Sequence, residues 1–274
     1  LDIFSLRIFS STIFFKNNLT DEKLINPFRR LDGVKTLQPL VFTLARIENL
    51  MQQVSFDPVE MEGRIITNTS LVKKERLEET LAVFYDTIQS GLAVSPMIKL
   101  VEQGDRVKIK TACSLTICGV LLKHGIPVRP KGGGLIEVVK REPARFTDML
   151  MYWATTIDPI DVLTAQGLTD IMGMMRTGDG RVLGNLQEAP MLARDLIEEV
   201  LDVLALAEFT GVMELGEPNM NVLGVSVERD HVGIALVGGT NLVAAARECG
   251  IDVEHESISD LTLVSEMKHI EALI

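Results

Sequence analysis

The chain has 274 residues, 46% apolar and 24% charged, an ordinary globular composition with length for one large or two modest domains. Its net charge is −11, and because residues 1–60 carry seven basic and seven acidic side chains, the whole deficit falls in 61–274. Such an acidic body repels phosphate backbones, which makes it a poor candidate for touching DNA directly. Three cysteines, odd in number and without C-x-x-C spacing, exclude a disulfide framework and a structural zinc site and fit a reducing, cytoplasmic setting.

The chain opens on LDIFSLRIFSSTIFF, an apolar run too short to span a bilayer and without the basic start and cleavage site of a signal peptide. It reads as a frayed or partner-covered strand or helix, and a first residue other than Met allows a truncated start. Next, Leu40, Leu44, Ile47, Met51 and Val54 follow spacings of four, three, four and three, a narrow apolar stripe on a helix closed by Asp57-Pro58. The stripe suits either a seam against a partner helix or packing on its own domain. Residues 1–60 are therefore taken as an N-terminal segment with a linker or dimerisation helix, and 61–274 as the main domain.

That domain repeats itself. Gly63-Arg64-Ile65-Ile66-Thr67-Asn68 is echoed 117 residues later by Gly180-Arg181-Val182-Leu183-Gly184-Asn185. Each copy enters a long amphipathic helix, the first with Leu77, Leu81, Phe84 and Ile88, the second with Leu196, Val200 and Val203. Then Val107–Val128 aligns without gaps to Val232–Val253 at an offset of 125, with Gly125 and Gly250 placed to end a helix before a short strand. Each half, about 61–140 and 178–265, reads as strand, long helix, strand, strand, short helix, strand. The expected class is α/β, an internally duplicated, pseudo-symmetric domain preceded by a linker helix. Residues 141–177 form a structured bridge, with strand character over Phe146–Thr156, a short helix opened by Asp158-Pro159, and a buried strand over Leu168–Met175.

Two strand-to-helix turns hold the candidate site. Cys113, Ser114 and Thr116 precede one short helix; Gly238, Gly239, Thr240 and Asn241 precede its duplicate. Small and capping residues at a helix start leave backbone N–H groups and the positive dipole end available to an anion, although helix capping alone also accounts for them. A dipole contributes only ~0.3–2 kcal/mol, so cations are needed as well. Arg129 and Lys131 in VRPKGGG are the candidates, with Gly133 in a triple glycine that lets backbone approach a ligand; a flexible turn with two solvated cations is the plainer alternative. The segment is neither a P-loop nor a dinucleotide fingerprint, and no cofactor or metal motif occurs. Catalytic motifs are absent, and the four histidines are scattered. The enzyme alternative rests on Cys113, a thiol that a helix start could acidify into a nucleophile.

The stretches GRIITNTSLV, CSLTICGVLLKHGIPVRPKGGGLIEV, RFTDMLMYWATTIDPIDVL, GRVLGNLQEAPMLARDLIEEVLD and GVMELGEPNMNVLGVSVERDHVGIALVGGTNLVAAARECGIDVE resemble the NrpR family of archaeal repressors of nitrogen-assimilation genes. The resemblance covers about Gly63 to Glu254. It implies a non-enzymatic regulatory domain that binds 2-oxoglutarate and thereby releases repression, and it likens the helix around Leu40–Val54 to the family's connection to a winged-helix DNA-binding domain. The first 30 or so residues show no complete winged helix. DNA contact is therefore expected through a partner or a missing winged-helix domain, in a homodimer or a hetero-oligomer with another repressor subunit. A structural co-regulator that binds no metabolite is the further alternative.

Overall fold

The computed structural model describes residues 42–274; the apolar N-terminal run, Leu40 and any winged-helix remnant lie outside the described residues. The first half contributes β1 (Arg64–Lys73), β2 (Met97–Gln103), β3 (Arg106–Ala112) and β4 (Arg129–Val139), with α2 (Leu77–Gln89) after β1 and α3 (Leu115–Lys123) after β3. The second half contributes β6 (Gly180–Pro190), β7 (Val212–Leu215), β8 (His231–Val237) and β9 (Glu254–Leu263), with α6 (Arg194–Leu206) after β6 and α7 (Asn241–Glu248) after β8. The duplicated order expected from the sequence is present element for element. Gly125 and Gly250 end α3 and α7 at φ +79° and +76°, and the N–H of the next residue, Ile126 or Ile251, returns to Leu121 or Ala246. This is the left-handed helix stop that glycine adopts without a Cβ penalty.

The pairing of the halves was not foreseen. The strands form two five-stranded antiparallel sheets, ordered β10-β2-β3-β1-β9 and β5-β4-β6-β8-β7, where β5 is Glu142–Met151 and β10 is Lys268–His269. In each half the last strand leaves its own sheet: β4 lies beside β6 and β9 beside β1. Each half thus lends a strand to the other, and the order β2-β3-β1-β9 in one sheet matches β7-β8-β6-β4 in the other. Apolar residues of α3, α6, β1, β6 and β8, among them Ile65, Ile117, Ile197 and Ile234, share one core between the layers.

Outside the repeat, α1 (Thr43–Gln53) buries Ile47 and Met51, with Val54 following, so the described part of the stripe packs on its own domain. Burying each such side chain contributes about 1.5–3 kcal/mol. The contact needs a glycine opposite, because a Cβ on Gly119 of α3 would sit 2.4 Å from Val54 Cγ2. Asp158 opens α4 (Pro159–Ala165) as expected, its side chain accepting the Ile160 N–H.

Two local expectations are corrected. Leu168–Met175 is not a strand: Ile171–Thr177 forms α5, started by Asp170 accepting from Gly173 N–H and stopped by Gly178 at φ +88°. The Glu248 carboxylate also accepts the N–H groups of Ile171 and Met172, holding the start of α5 against the end of α7. On α6 the buried face is Ile197, Val200 and Leu204, while Leu196 and Val203 are exposed, the core stripe lying one residue along from the one anticipated. No helix among the described residues is long and apolar enough to cross a membrane.

Candidate functional site

The turns that start α3 and α7 meet. A Cβ on Gly239 would lie 2.8 Å from Ala112 O and 3.2 Å from Cys113 Cα, so only glycine lets the second turn come this close to the first. Between them is a buried cleft lined by Cys113, Ser114 and Leu115 from one half and Gly238, Gly239 and Thr240 from the other. Tyr152, Asp158 and Ile160 of the bridge close it, and a Cβ on Gly133 would lie 2.9 Å from Ile160 Cδ1 and 3.1 Å from Tyr152 Oη, so β4 passes directly beneath that wall.

Equivalent residues do equivalent work on either side. Thr116 Oγ1 accepts from Ile66 N–H and donates to Ile66 O, both at 3.1 Å. Its duplicate Asn241 accepts from Leu183 N–H at 2.8 Å and donates to Leu183 O at 3.1 Å. These two side chains clasp each helix start to the first strand of its own half and are taken up by that task. Neither α3 nor α7 is capped by a side chain, so the capping explanation for Ser114 and Thr240 does not hold.

Two residues that end the repeated hexapeptide, neither among the candidate site residues of the sequence, cross between halves. Asn185 Nδ2 donates to Ser114 Oγ at 2.8 Å, with Gln187 Nε2 bonding Asn185 Oδ1 behind it. Its duplicate Asn68 sits at a bulge in the β1/β9 pairing, where its Oδ1 accepts from Ile258 N–H at 2.9 Å. Asn68 Nδ2 and Thr240 Oγ1, both on the cleft and both buried, have no hydrogen-bond partner. Buried polar groups are nearly always paired, and here two without partners share one small space. The signal was available, since an asparagine ends both copies of the repeated hexapeptide inside an apolar strand.

Arg129 and Lys131 are not in the cleft. Arg129 pairs with Glu188 and Glu228, while Lys131 donates to Glu188 at 2.5 Å and to Ser226 O at 2.6 Å. Burial pushes the Glu188 carboxyl up, but Lys131, the Glu228 N–H and Arg129 together hold it below its ordinary value. Both cations thus pair with a buried carboxylate, and neither is among the residues that line the cleft. Arg46 of α1 donates to Ile258 O at 2.8 Å and opposes the upward shift of Asp158 and, together with Arg247, that of Asp161. Burial, then the neighbouring Asp161, raises Asp158 to about 6.

Cys113 is a poor nucleophile here. Burial pushes its thiol up to about 12 even though the Leu115 N–H points at it, so it stays protonated at neutral pH. Among the described residues no group of three or more acidic, histidine or cysteine side chains is placed to hold a metal ion.

The family model for NrpR regulatory domains NRD1 and 2 matches residues 40–269. The chain belongs to the NrpR family. It is 31% identical over 237 residues to the global nitrogen regulator NrpRI of Methanosarcina mazei, covering 84% of this chain and 73% of that one. It is 30% identical to the global nitrogen regulator NrpR of Methanocaldococcus jannaschii and to that of Methanococcus maripaludis, spanning 39% and 40% of their lengths. A crystal structure of a nitrogen repressor-like protein from Methanococcus jannaschii superposes with a TM-score of 0.76 at 28% identity, over 85% of this chain and all of that one. The duplicated fold described above is therefore that of an NrpR-like regulatory domain.

Proposed function

We propose that this chain is the effector-sensing part of a repressor of nitrogen-assimilation genes, with 2-oxoglutarate as the effector that releases repression. One observation carries the reading: two duplicated helix starts, one from each half, face a single buried cleft in which Asn68 Nδ2 and Thr240 Oγ1 lack partners. Helix starts and unpartnered donors favour an anion. Arg46, which donates to the carbonyl of the cleft-lining Ile258, adds positive charge to what the dipoles supply.

The cleft has a volume of only about 20 Å³, enough for about one water molecule. A five-carbon diacid enters only if the halves separate, so occupancy and conformation are coupled, as an allosteric site requires. A coupling of about 1–3 kcal/mol changes affinity for operator or partner roughly 5–150-fold. The acidic body leaves DNA contact to a basic element elsewhere in a homo- or hetero-oligomeric repressor assembly, in the cytoplasm. Titration calorimetry of the full chain with 2-oxoglutarate, and with glutamate as control, tests the reading. Saturable heat with 2-oxoglutarate alone is expected, and equal response to both or to neither ends it.

A further inference from the structure

Helices α2 and α6 are duplicates in register, 117 residues apart, and this makes one an internal control for the other. On α6 and the turn before it, Leu192, Leu196, Val203 and Leu206 recur at helical spacing beside the buried face, and Leu192 and Leu206 are 92% and 87% exposed. The equivalent positions on α2 are Glu75, Glu79, Asp86 and Gln89, all exposed. One ancestral helix thus shows water a polar face in the first copy and an apolar face in the second. Single exposed leucines need no explanation, but three leucines and a valine on one face, at sites where the duplicate shows that polar residues suit the fold, do.

The surroundings of the two helices differ as well. The flank of α2 is approached by the chain's own C-terminal turn, with Ile270 buried and Leu273 packed against the same core. The flank of α6 instead borders a groove of about 700 Å³, whose other wall is the loop Ser55–Glu60 and the end of α3. Among the described residues nothing fills it.

We propose that this groove docks a basic amphipathic helix of a partner protein. The apolar floor supplied by Leu196, Val200 and Val203 suits leucine-type anchors at three- and four-residue spacing. The rim is acidic: Asp57 and Glu60 stand on one wall and Glu199 on the other, against Lys123 and His124 at one end. A second copy of this chain pressing the same face inward would set these carboxylates against their own kind, which costs affinity. A helix flanked by Lys and Arg meets the rim with opposite charge and gains both rate and specificity from it. The proposal is independent of the effector, since no residue of the groove lines the cleft.

The test uses the full chain and two labelled helical peptides with the same leucine face, one flanked by lysines and one by glutamates, read by fluorescence anisotropy. A quadruple variant, Leu192→Glu, Leu196→Glu, Val203→Asp and Leu206→Gln, gives α6 the residues of α2 at exposed positions, and its thermal midpoint checks that it folds. The lysine peptide is expected to bind saturably, about tenfold or more tighter than the glutamate peptide and than its own binding to the variant, and to weaken with salt. Absence of saturable binding, equal binding of the two peptides, or undiminished binding to the folded variant overturns the proposal. So does a dimer by light scattering that the substitutions turn into a monomer, which assigns the face to a second copy.

Discussion

Replacing Thr240 by Val separates stability from ligand recognition, because its hydroxyl is buried on the cleft, caps nothing and bonds nothing. An unsatisfied buried hydroxyl costs about 1–3 kcal/mol. Valine fills the same space without that penalty, so Thr240→Val is expected to leave the protein at least as stable as before. For a domain of this size each kcal/mol gained raises the melting midpoint by about 2–4 °C. The effector should suffer the opposite fate, since a hydrogen bond to a carboxylate contributes about 1.5–3 kcal/mol and its loss weakens binding by about 10- to 150-fold. Differential scanning fluorimetry gives the first quantity and titration calorimetry with 2-oxoglutarate the second. A midpoint that falls by several degrees, or an affinity that does not change, would refute the assignment of this hydroxyl to the ligand.

Arg46→Ala should weaken 2-oxoglutarate binding by about fivefold, an effect of ~1 kcal/mol for a charge near the surface that fades with added salt, whereas Arg129→Ala should leave it unchanged; the reverse order in calorimetry means that the ligand sits beside β4 and not in the cleft. Asp158, at about 6 when folded and near the ordinary ~3.9 when unfolded, holds a proton in the native state across that interval. Stability from this group is therefore present at low pH and lost as pH rises from about 4 to 6. Asp158→Asn, which still caps α4, should shrink the difference in midpoint between acidic and neutral solution and tighten effector binding at neutral pH; identical pH slopes for the two proteins rule this out. Iodoacetamide at neutral pH should modify the exposed Cys249 and spare Cys113 until the protein is unfolded. Mass spectrometry showing Cys113 alkylated first in the native protein would restore the nucleophile alternative.

What the sequence made legible was local or repeated. The helix stops at Gly125 and Gly250 and the start at Asp158-Pro159 follow from backbone chemistry within a few residues. The turns at Cys113 and Gly238 were placed together because duplication implies equivalent positions. What escaped depends on distant pairing. Nothing near β4 says that its neighbour is β6 in the other half, so the exchange, and with it the position of Arg129 over Glu188, was invisible. The α5 segment is short and apolar, and its helical state rests on Asp170 and on Glu248 arriving from α7. The spacing along α1 says nothing of the Ile258 carbonyl that Arg46 reaches, because that residue lies 212 positions away. Asn68 and Asn185 end the two copies of the hexapeptide, and an amide in the same place in two buried strands has a polar task in each half.

The loan of β4 and β9 ties the two halves by main-chain ladders. Each unit of strand, helix, two strands, helix and strand sends out an arm and receives the other unit's arm beside its first strand. Neither half keeps all of its own sheet, so the halves cannot part without breaking backbone pairing at both seams, and the bridge at 141–177 is not what holds them together. The halves differ instead at positions away from those seams, with Glu79 in the first where the second has Leu196.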